Sequence, residues 1–332
     1  MTKLLFATLA AFALTVVVLP VVIYFSKRLK VRQTILSYVD NHIGKSGTPT
    51  MGGLGIMLAL AAVLLLFTRG ENRLMLMVLL VTLGYGIVGF IDDFIKVYFK
   101  QNKGLGPLQK IVFQLLIAVI VAIFAYNNER VGSLLYAPFT LKELNIGVVA
   151  VPLYIAIFLA FTNAVNLTDG LDGLAGKVSA VYTLFFGAVI FLSAYASGED
   201  AFAGEYGNLL LYCAVLAGTL CGFLCYNGFP AKIFMGDTGA LALGGGLGCL
   251  CIVSRLELIA PILGIMFVLT SLSVIIQVAS FKLTHKRVFL MAPLHHHFER
   301  KGVHENRIVT VYACITAAVG FLTVALTVFF VL

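Results

Sequence analysis

Tryptophan is absent from all 332 residues, and only 11% of the chain is charged. The second shortage decides more than the first. A soluble domain carries about 25% charged residues. A chain that is 61% hydrophobic and this poor in charge reads as a polytopic membrane protein, not as a soluble enzyme with one anchor. The missing tryptophan leaves any interfacial aromatic belt to Tyr and Phe. No CxxC pair occurs among the six cysteines, Cys213, Cys221, Cys225, Cys249, Cys251 and Cys314. All lie in apolar stretches and read as small packing residues. No HExxH sequence is present, which removes one route to zinc chemistry.

What is present is long apolar runs. A bilayer core needs about 20 apolar residues as a helix. Ten segments qualify, at about 4–25, 51–68, 74–91, 108–126, 146–165, 175–195, 207–226, 239–254, 258–281 and 308–331. The first is too long for the h-region of a signal peptide, roughly 7–15 residues, and is read as a retained span. The eighth holds Gly244, Gly245, Gly246 and Gly248, which suits close helix packing. Pro261 suits the start of the ninth. The segment 127–145 is expected to form a hairpin around Ala137-Pro138.

The formal charge of +8 does not require nucleic acid, because membrane proteins gather Lys and Arg in cytoplasmic loops. Alternate loops hold seventeen of the twenty-three basic residues, among them Lys27, Arg28, Lys45, Lys96, Lys110, Lys232, Lys286 and Lys301. That set is expected inside, with both termini outside. The inner loops also carry "HIGKSGTPTMGG", "IDDFIK", "NAVNLTDGLDGLAG", "FPAKIFMGDTGALALGGG" and "APLHHHFERKGVHENR". Nearly every chemically capable residue lies on that side.

Asp92 and Asp93 end an apolar run at the membrane boundary, where adjacent carboxylates repel and a cation would relieve the cost. Asp169 and Asp172, three apart, would share a face if "TDGLDG" opened a helix. Asp237 lies between glycines that admit close ligand approach. Carboxylates without thiolates suit a hard cation, Mg²⁺ above all, with substrate phosphates completing its shell. Lys45 precedes a Gly/Thr/Pro turn containing Thr50, whose backbone amides at a helix start could attract anions. Asn166 reads as a neutral substrate contact. His295, His296 and His297 read as a substrate-binding loop in preference to a zinc site, since adjacent side chains diverge and no thiolate accompanies them.

In this order, the DD pair, "NLTDGLDGLAG", "FPAKIFMGDTGAL" and the histidine loop resemble the polyprenyl-phosphate N-acetylhexosamine-1-phosphate transferases. "GTPTMGG" and "PLHHHFE" resemble the bacterial phospho-N-acetylmuramoyl-pentapeptide transferase branch; relatives using UDP-N-acetylglucosamine carry His-x-His-His instead. The resemblance covers essentially the whole chain, as one transmembrane catalytic domain over 1–332 in a bacterial cytoplasmic membrane. It implies Mg²⁺-dependent transfer from UDP-N-acetylmuramoyl-pentapeptide to undecaprenyl phosphate, giving lipid I and UMP in peptidoglycan synthesis. It also implies a homodimer and inhibition by uridine-containing nucleoside antibiotics.

On that resemblance Asp237 is the foremost metal ligand, Asp93 a ligand or its neighbour, and Asp92 a group that orients or deprotonates the lipid phosphate. His296 and His297 join them in the catalytic set. Lys45, Thr50 and Lys110 are phosphate or lipid contacts. Asn166, Asp169 and Phe234 face the nucleoside, and Asp172, Gln277 and His295 complete the substrate-binding set. A covalent aspartyl-phosphate is the alternative mechanism. The rival from another class is an ion-coupled transporter, which the one-sided placement of the acids and the lack of an internal repeat disfavour.

Overall fold

The structure, a computed structural model, describes residues 1–29, 47–68, 70, 72–99 and 104–331. Lys45 lies outside the described residues. In chain order the helices are α1 (Thr2–Arg28), α2 (Gly53–Phe67), α3 (Arg73–Tyr98), α4 (Pro107–Tyr126), α5 (Ala150–Thr168) and α6 (Leu174–Ala196). They continue with α7 (Gly204–Asn227), α8 (Gly236–Val253), α9 (Ala260–Leu263), α10 (Ile265–Thr284), α11 (Leu294–Arg300) and α12 (Glu305–Val331). Strands β1 (Leu134–Tyr136) and β2 (Glu143–Asn145) pair antiparallel, with Leu135 opposite Leu144. This is the expected hairpin.

Among the described residues nine helices are long and apolar enough to cross a membrane. The chain is an all-α polytopic membrane protein. Two of the ten expected spans differ in detail. The second, α2, has only 15 residues, about 22 Å of rise against a hydrocarbon core of about 30 Å. It is shorter because Met51, at φ +70°, and Gly52 precede the helix, which starts at Gly53 and stops at Phe67. The ninth is broken: Pro261 opens the short α9 as expected, but Gly264 leaves the helical conformation at ψ 26° and α10 restarts at Ile265. The cysteines also divide. Cys213, Cys249 and Cys251 are buried, whereas Cys221, Cys225 and Cys314 are exposed on the outside of the bundle.

Helix α8 is the centre, with 89% of its apolar window buried, against 22% for α1, α10 and α12 at the periphery. It is unbroken despite its glycines, because each of three consecutive ones meets a different neighbour. A Cβ on Gly244 would lie 2.5 Å from Cα of Thr162 in α5. On Gly245 it would lie 2.3 Å from the Tyr85 ring in α3, and on Gly246 2.4 Å from the Tyr212 hydroxyl in α7. Small residues here let three helices close on one axis.

The two ends of the bundle are unlike. At one end lie the last turns of α3, the start of α4, the end of α5 and the start of α8. At the other lies the hairpin, where Tyr136 N–H donates to the Arg255 carbonyl at 2.9 Å and Arg255 pairs with Glu143 at 2.8 Å.

Candidate active site

Asp237 stands in the first turn of α8, whose first amides have no partner within the helix. No side chain of its own segment caps it. The cap comes from α3. Asp93 Oδ1 accepts from the Asp237 N–H at 3.3 Å, and Oδ2 accepts from the Thr238 N–H at 2.9 Å and the Thr238 hydroxyl at 2.7 Å. A carboxylate at a helix start is also favoured by the helix dipole. The approach depends on Gly89, where a Cβ would lie 2.1 Å from the Asp237 carbonyl oxygen.

The Asp237 carboxylate then gathers three helices. Oδ1 accepts from Asn166 Nδ2 at 2.9 Å. Oδ2 accepts from Lys96 Nζ at 2.5 Å and Lys110 Nζ at 2.9 Å. Lys96 Nζ also lies 2.5 Å from Asp92 Oδ2, and Lys110 Nζ 3.8 Å from it. The other oxygen of Asp92 accepts from the Leu105 N–H at 2.8 Å. One carboxylate oxygen each from Asp92, Asp93 and Asp237 can be chosen so that all lie within 4.8 Å of one another. Such proximity is costly for like charges; the two ammonium groups offset it and leave one negative charge in excess.

These donors fit a hard divalent cation. The set is all oxygen, and Asp92 Oδ2 is buried without accepting a hydrogen bond of good geometry. Asp237 and Asp92 present oxygens now met by lysine ammonium groups, whereas both oxygens of Asp93 are turned to the α8 amides.

Lys96 was not among the candidates read from the sequence. Its signal was there: it follows Asp92 by four residues and Asp93 by three, the helical spacing of neighbours, and α3 runs on through the acids to Tyr98.

Thr50 is buried at this cluster; a Cβ on Gly236 would lie 2.8 Å from its hydroxyl and 2.6 Å from Asp93 Oδ2. The expected anion-binding amides are otherwise employed. Gly52 N–H donates to the Phe234 carbonyl and Gly53 N–H to that of Met235, each at 2.9 Å. Phe234 is thereby fixed through its backbone beside the cluster, its side chain half-buried.

"TDGLDG" does not open a helix. Asp169 to Gly173 form a turn before α6, with Gly173 at φ +74°, so helical spacing does not relate the two acids. Asp169 is pushed up to about 8, by burial first and then by Asp237, Asp93 and Asp172. Asp172 Oδ2 accepts from the Ala231 N–H at 2.9 Å, while its own N–H donates to Glu305 at 2.6 Å.

The histidines lie on α11. His295 is fully buried against this turn, its Nε2 2.2 Å from where a Cβ on Gly170 would be. Only glycine fits there. His296 Nδ1 pairs with Glu299 at 2.5 Å. His297 Nδ1 accepts from the Leu290 N–H at 3.1 Å, and partial burial together with Lys301 holds its imidazole below the usual range. Gln277 is engaged elsewhere: its amide takes the N–H groups of Val288 and Phe289 and donates to the Phe289 carbonyl, at 3.1, 2.9 and 3.1 Å.

Residues 74–255 match the family model described as glycosyl transferase family 4. Three similar proteins each bear the name phospho-N-acetylmuramoyl-pentapeptide-transferase. The protein of Clostridium novyi is 40% identical over 97% of both chains. That of Clostridium kluyveri is 42% identical over 97% of this chain and 100% of its own. That of a Geobacillus species is 44% identical over 92% of both.

Proposed function

This chain belongs to glycosyl transferase family 4 and, within it, to the phospho-N-acetylmuramoyl-pentapeptide transferases, and from that premise we propose how its charged cluster performs the transfer. The chain is a multi-pass protein of a bacterial membrane. It moves phospho-N-acetylmuramoyl-pentapeptide from the UDP-linked donor to undecaprenyl phosphate, making lipid I and UMP for peptidoglycan synthesis.

One substrate is soluble and anionic and the other arrives through lipid, so the chemistry belongs at a membrane face. The single observation that carries the site is the meeting of Asn166, Lys96 and Lys110 on the two oxygens of Asp237 at one end of the bundle. The excess of Lys and Arg in the loops at that end supports a cytoplasmic site.

Mg²⁺ would be held by Asp237 and Asp92, with Asp93 fixing Asp237 through the α8 amides. Bound there, it supplies neutralisation of the donor diphosphate. The remaining work falls to the side chains. Lys96 and Lys110 are flexible point charges that can exchange a carboxylate partner for a phosphate oxygen as the anionic substrates enter. The lipid phosphate has a second pKa near 6 and is largely a dianion at neutral pH, so it attacks the β-phosphorus with little need of a base. Asp92 orients it. Asn166, Phe234 and the Asp169 turn hold the nucleoside, and His296 and His297 steady the donor for in-line attack. The enzyme works as a homodimer, and uridine-containing nucleosides compete at the donor site.

The test is UMP release by the purified protein, given both substrates and Mg²⁺. Release that requires undecaprenyl phosphate is expected. Failure to release UMP with both substrates and Mg²⁺ overturns the reading.

A further inference from the structure

Gln114 lies on α4 one turn beyond Lys110, in the membrane-spanning part of the bundle, with 1% of its surface exposed. Its side-chain Oε1 accepts from Asn163 Nδ2 of α5 at 3.3 Å and lies 3.3 Å from the Thr162 hydroxyl, whose one proton is shared with the Phe158 carbonyl at 2.7 Å. Its backbone carbonyl accepts from the Tyr85 hydroxyl of α3 at 3.0 Å. Gln114 is therefore a point where α3, α4 and α5 are joined by polar bonds inside an apolar bundle.

The same three helices supply the donors around Asp237. Lys110 precedes Gln114 by four residues, and Asn166 follows Thr162 by four. Lys110 and Asn166 take opposite oxygens of one carboxylate, at 2.9 Å each. Lys96, also on that carboxylate, is eleven residues beyond Tyr85 on α3, about three helical turns. A slip of α4 along α5 by one residue moves Lys110 about 1.5 Å relative to Asn166, enough to break one of the two bonds. Apolar contacts between lipid-facing helices resist such sliding weakly, because lipid tails are as apolar as the side chains they replace. A directional bond one turn from the site resists it.

We infer that Gln114 is a positioning residue: its amide oxygen sets the register of α4 against α5 and so the placement of Lys110 and Asn166 on Asp237. The inference rests on the reading of Asp237 given above, and no chemistry passes through Gln114 itself.

Two substitutions of similar size separate this role from simple packing. Gln114→Glu keeps an acceptor oxygen for Thr162 and Asn163; Gln114→Leu removes it. Turnover and the donor KM are measured for both in detergent, beside wild type. Gln114→Glu is expected to retain turnover within about threefold. Gln114→Leu is expected to lose about tenfold or more in turnover, since displacements near 1 Å can cost a hundredfold, and to raise the donor KM, because Asn166 holds the nucleoside. In an Asn166→Ala background the further loss from Gln114→Leu should shrink, because one of the groups it positions is already gone. If Gln114→Leu does not fold, Thr162→Val with Asn163→Leu removes the two donors instead and should show the same loss. Equal activity of the Glu and Leu variants, or full additivity with Asn166→Ala, overturns the inference. Absence of UMP release by wild type would overturn the reaction assignment instead, which the wild-type arm shows on its own.

Discussion

The ammonium group of Lys110 lies 2.9 Å from Oδ2 of Asp237, although 127 positions separate them in the chain. The same oxygen is shared with Lys96. A carboxylate so heavily supplied with donors is hard to replace by a neutral group of the same shape.

Asp237→Asn should lower turnover by at least about a hundredfold, the scale of losing a charged group that stabilises a charged transition state. The fold should persist, because Asp93 caps α8 through backbone amides that the substitution leaves in place. Near wild-type UMP release at saturating Mg²⁺ would remove Asp237 from the metal site.

Gly89→Ala tests the α3–α8 approach. Its Cβ would meet the Asp237 carbonyl at 2.1 Å, a backbone atom that cannot rotate away, whereas a Cβ on Gly84 meets only Ile117 Cδ1 at 3.7 Å. Overpacking of this kind costs about 1–3 kcal/mol. Gly89→Ala should lose both thermal stability and more than about tenfold in turnover, as a shift near 1 Å at a reacting group would. Gly84→Ala should be silent. Matching melting temperatures and rates for the two variants would contradict the observed packing.

Orientation can be read with single cysteines in a background where the six native ones are replaced. Asn128→Cys should react with an impermeant thiol reagent outside intact cells, and Lys301→Cys only after permeabilisation, following the loop charges. The opposite pattern would put the Asp237 cluster on the face away from UDP-linked donors.

His296→Ala and His297→Ala should depress turnover severely while leaving the melting temperature near wild type, since both side chains are only partly buried. His295→Ala should destabilise, because the ring is fully buried against Gly170. Radiolabelled transfer to undecaprenyl phosphate should occur from the muramoyl-pentapeptide donor and not from UDP-N-acetylglucosamine. Transfer with the reverse preference would overturn the donor assignment.

Glu257 provides a pH test far from the transfer site. It is buried beyond the end of α8, and neither carboxylate oxygen has a hydrogen-bond partner among the described residues. Burial pushes its carboxyl from 4.5 up to about 8, with Arg255 pulling the other way. Between those two values the unfolded chain has lost the proton that the fold retains. The folded state then binds more protons, and stability falls as pH rises, by up to about 1.4 kcal/mol per pH unit. Glu257→Gln removes the dependence. Its advantage in melting temperature over wild type should grow from pH 5 to pH 8; an advantage that stays constant across that range would refute the assignment.

The spans and the acids at their ends were legible because apolar length and like-charge repulsion act locally. Asp92 and Asp93 are named from such cues, Asp237 from its flanking glycines, Thr50 from its turn and Asn166 from its polarity, whereas Lys110 enters as a site residue only through the family resemblance; all six meet in space. Lys96 escaped because the apolar run stops at Ile91, while helical hydrogen bonding carries α3 seven residues further. The helix start at "TDGLDG" failed for the converse reason: the turn is held by bonds to Ala231 and Glu305, partners distant in sequence. The α2 amides looked available for phosphate because their acceptors, the carbonyls of Phe234 and Met235, lie about 180 residues away. Local chemistry can propose a donor, but only the fold says whether it is already spent.

Helix α8 is secured at both extremities, by the Asp93 carboxylate at its start and by the Tyr136 and Glu143 contacts to Arg255 just past its finish. A rod clamped at each tip, with its flank gripped by three neighbours, has no freedom to slide along its own axis. The depth of Asp237 relative to the lipid is thus set by the core of the bundle, and the helices with the most exposed flanks, α1, α10 and α12, lie around it.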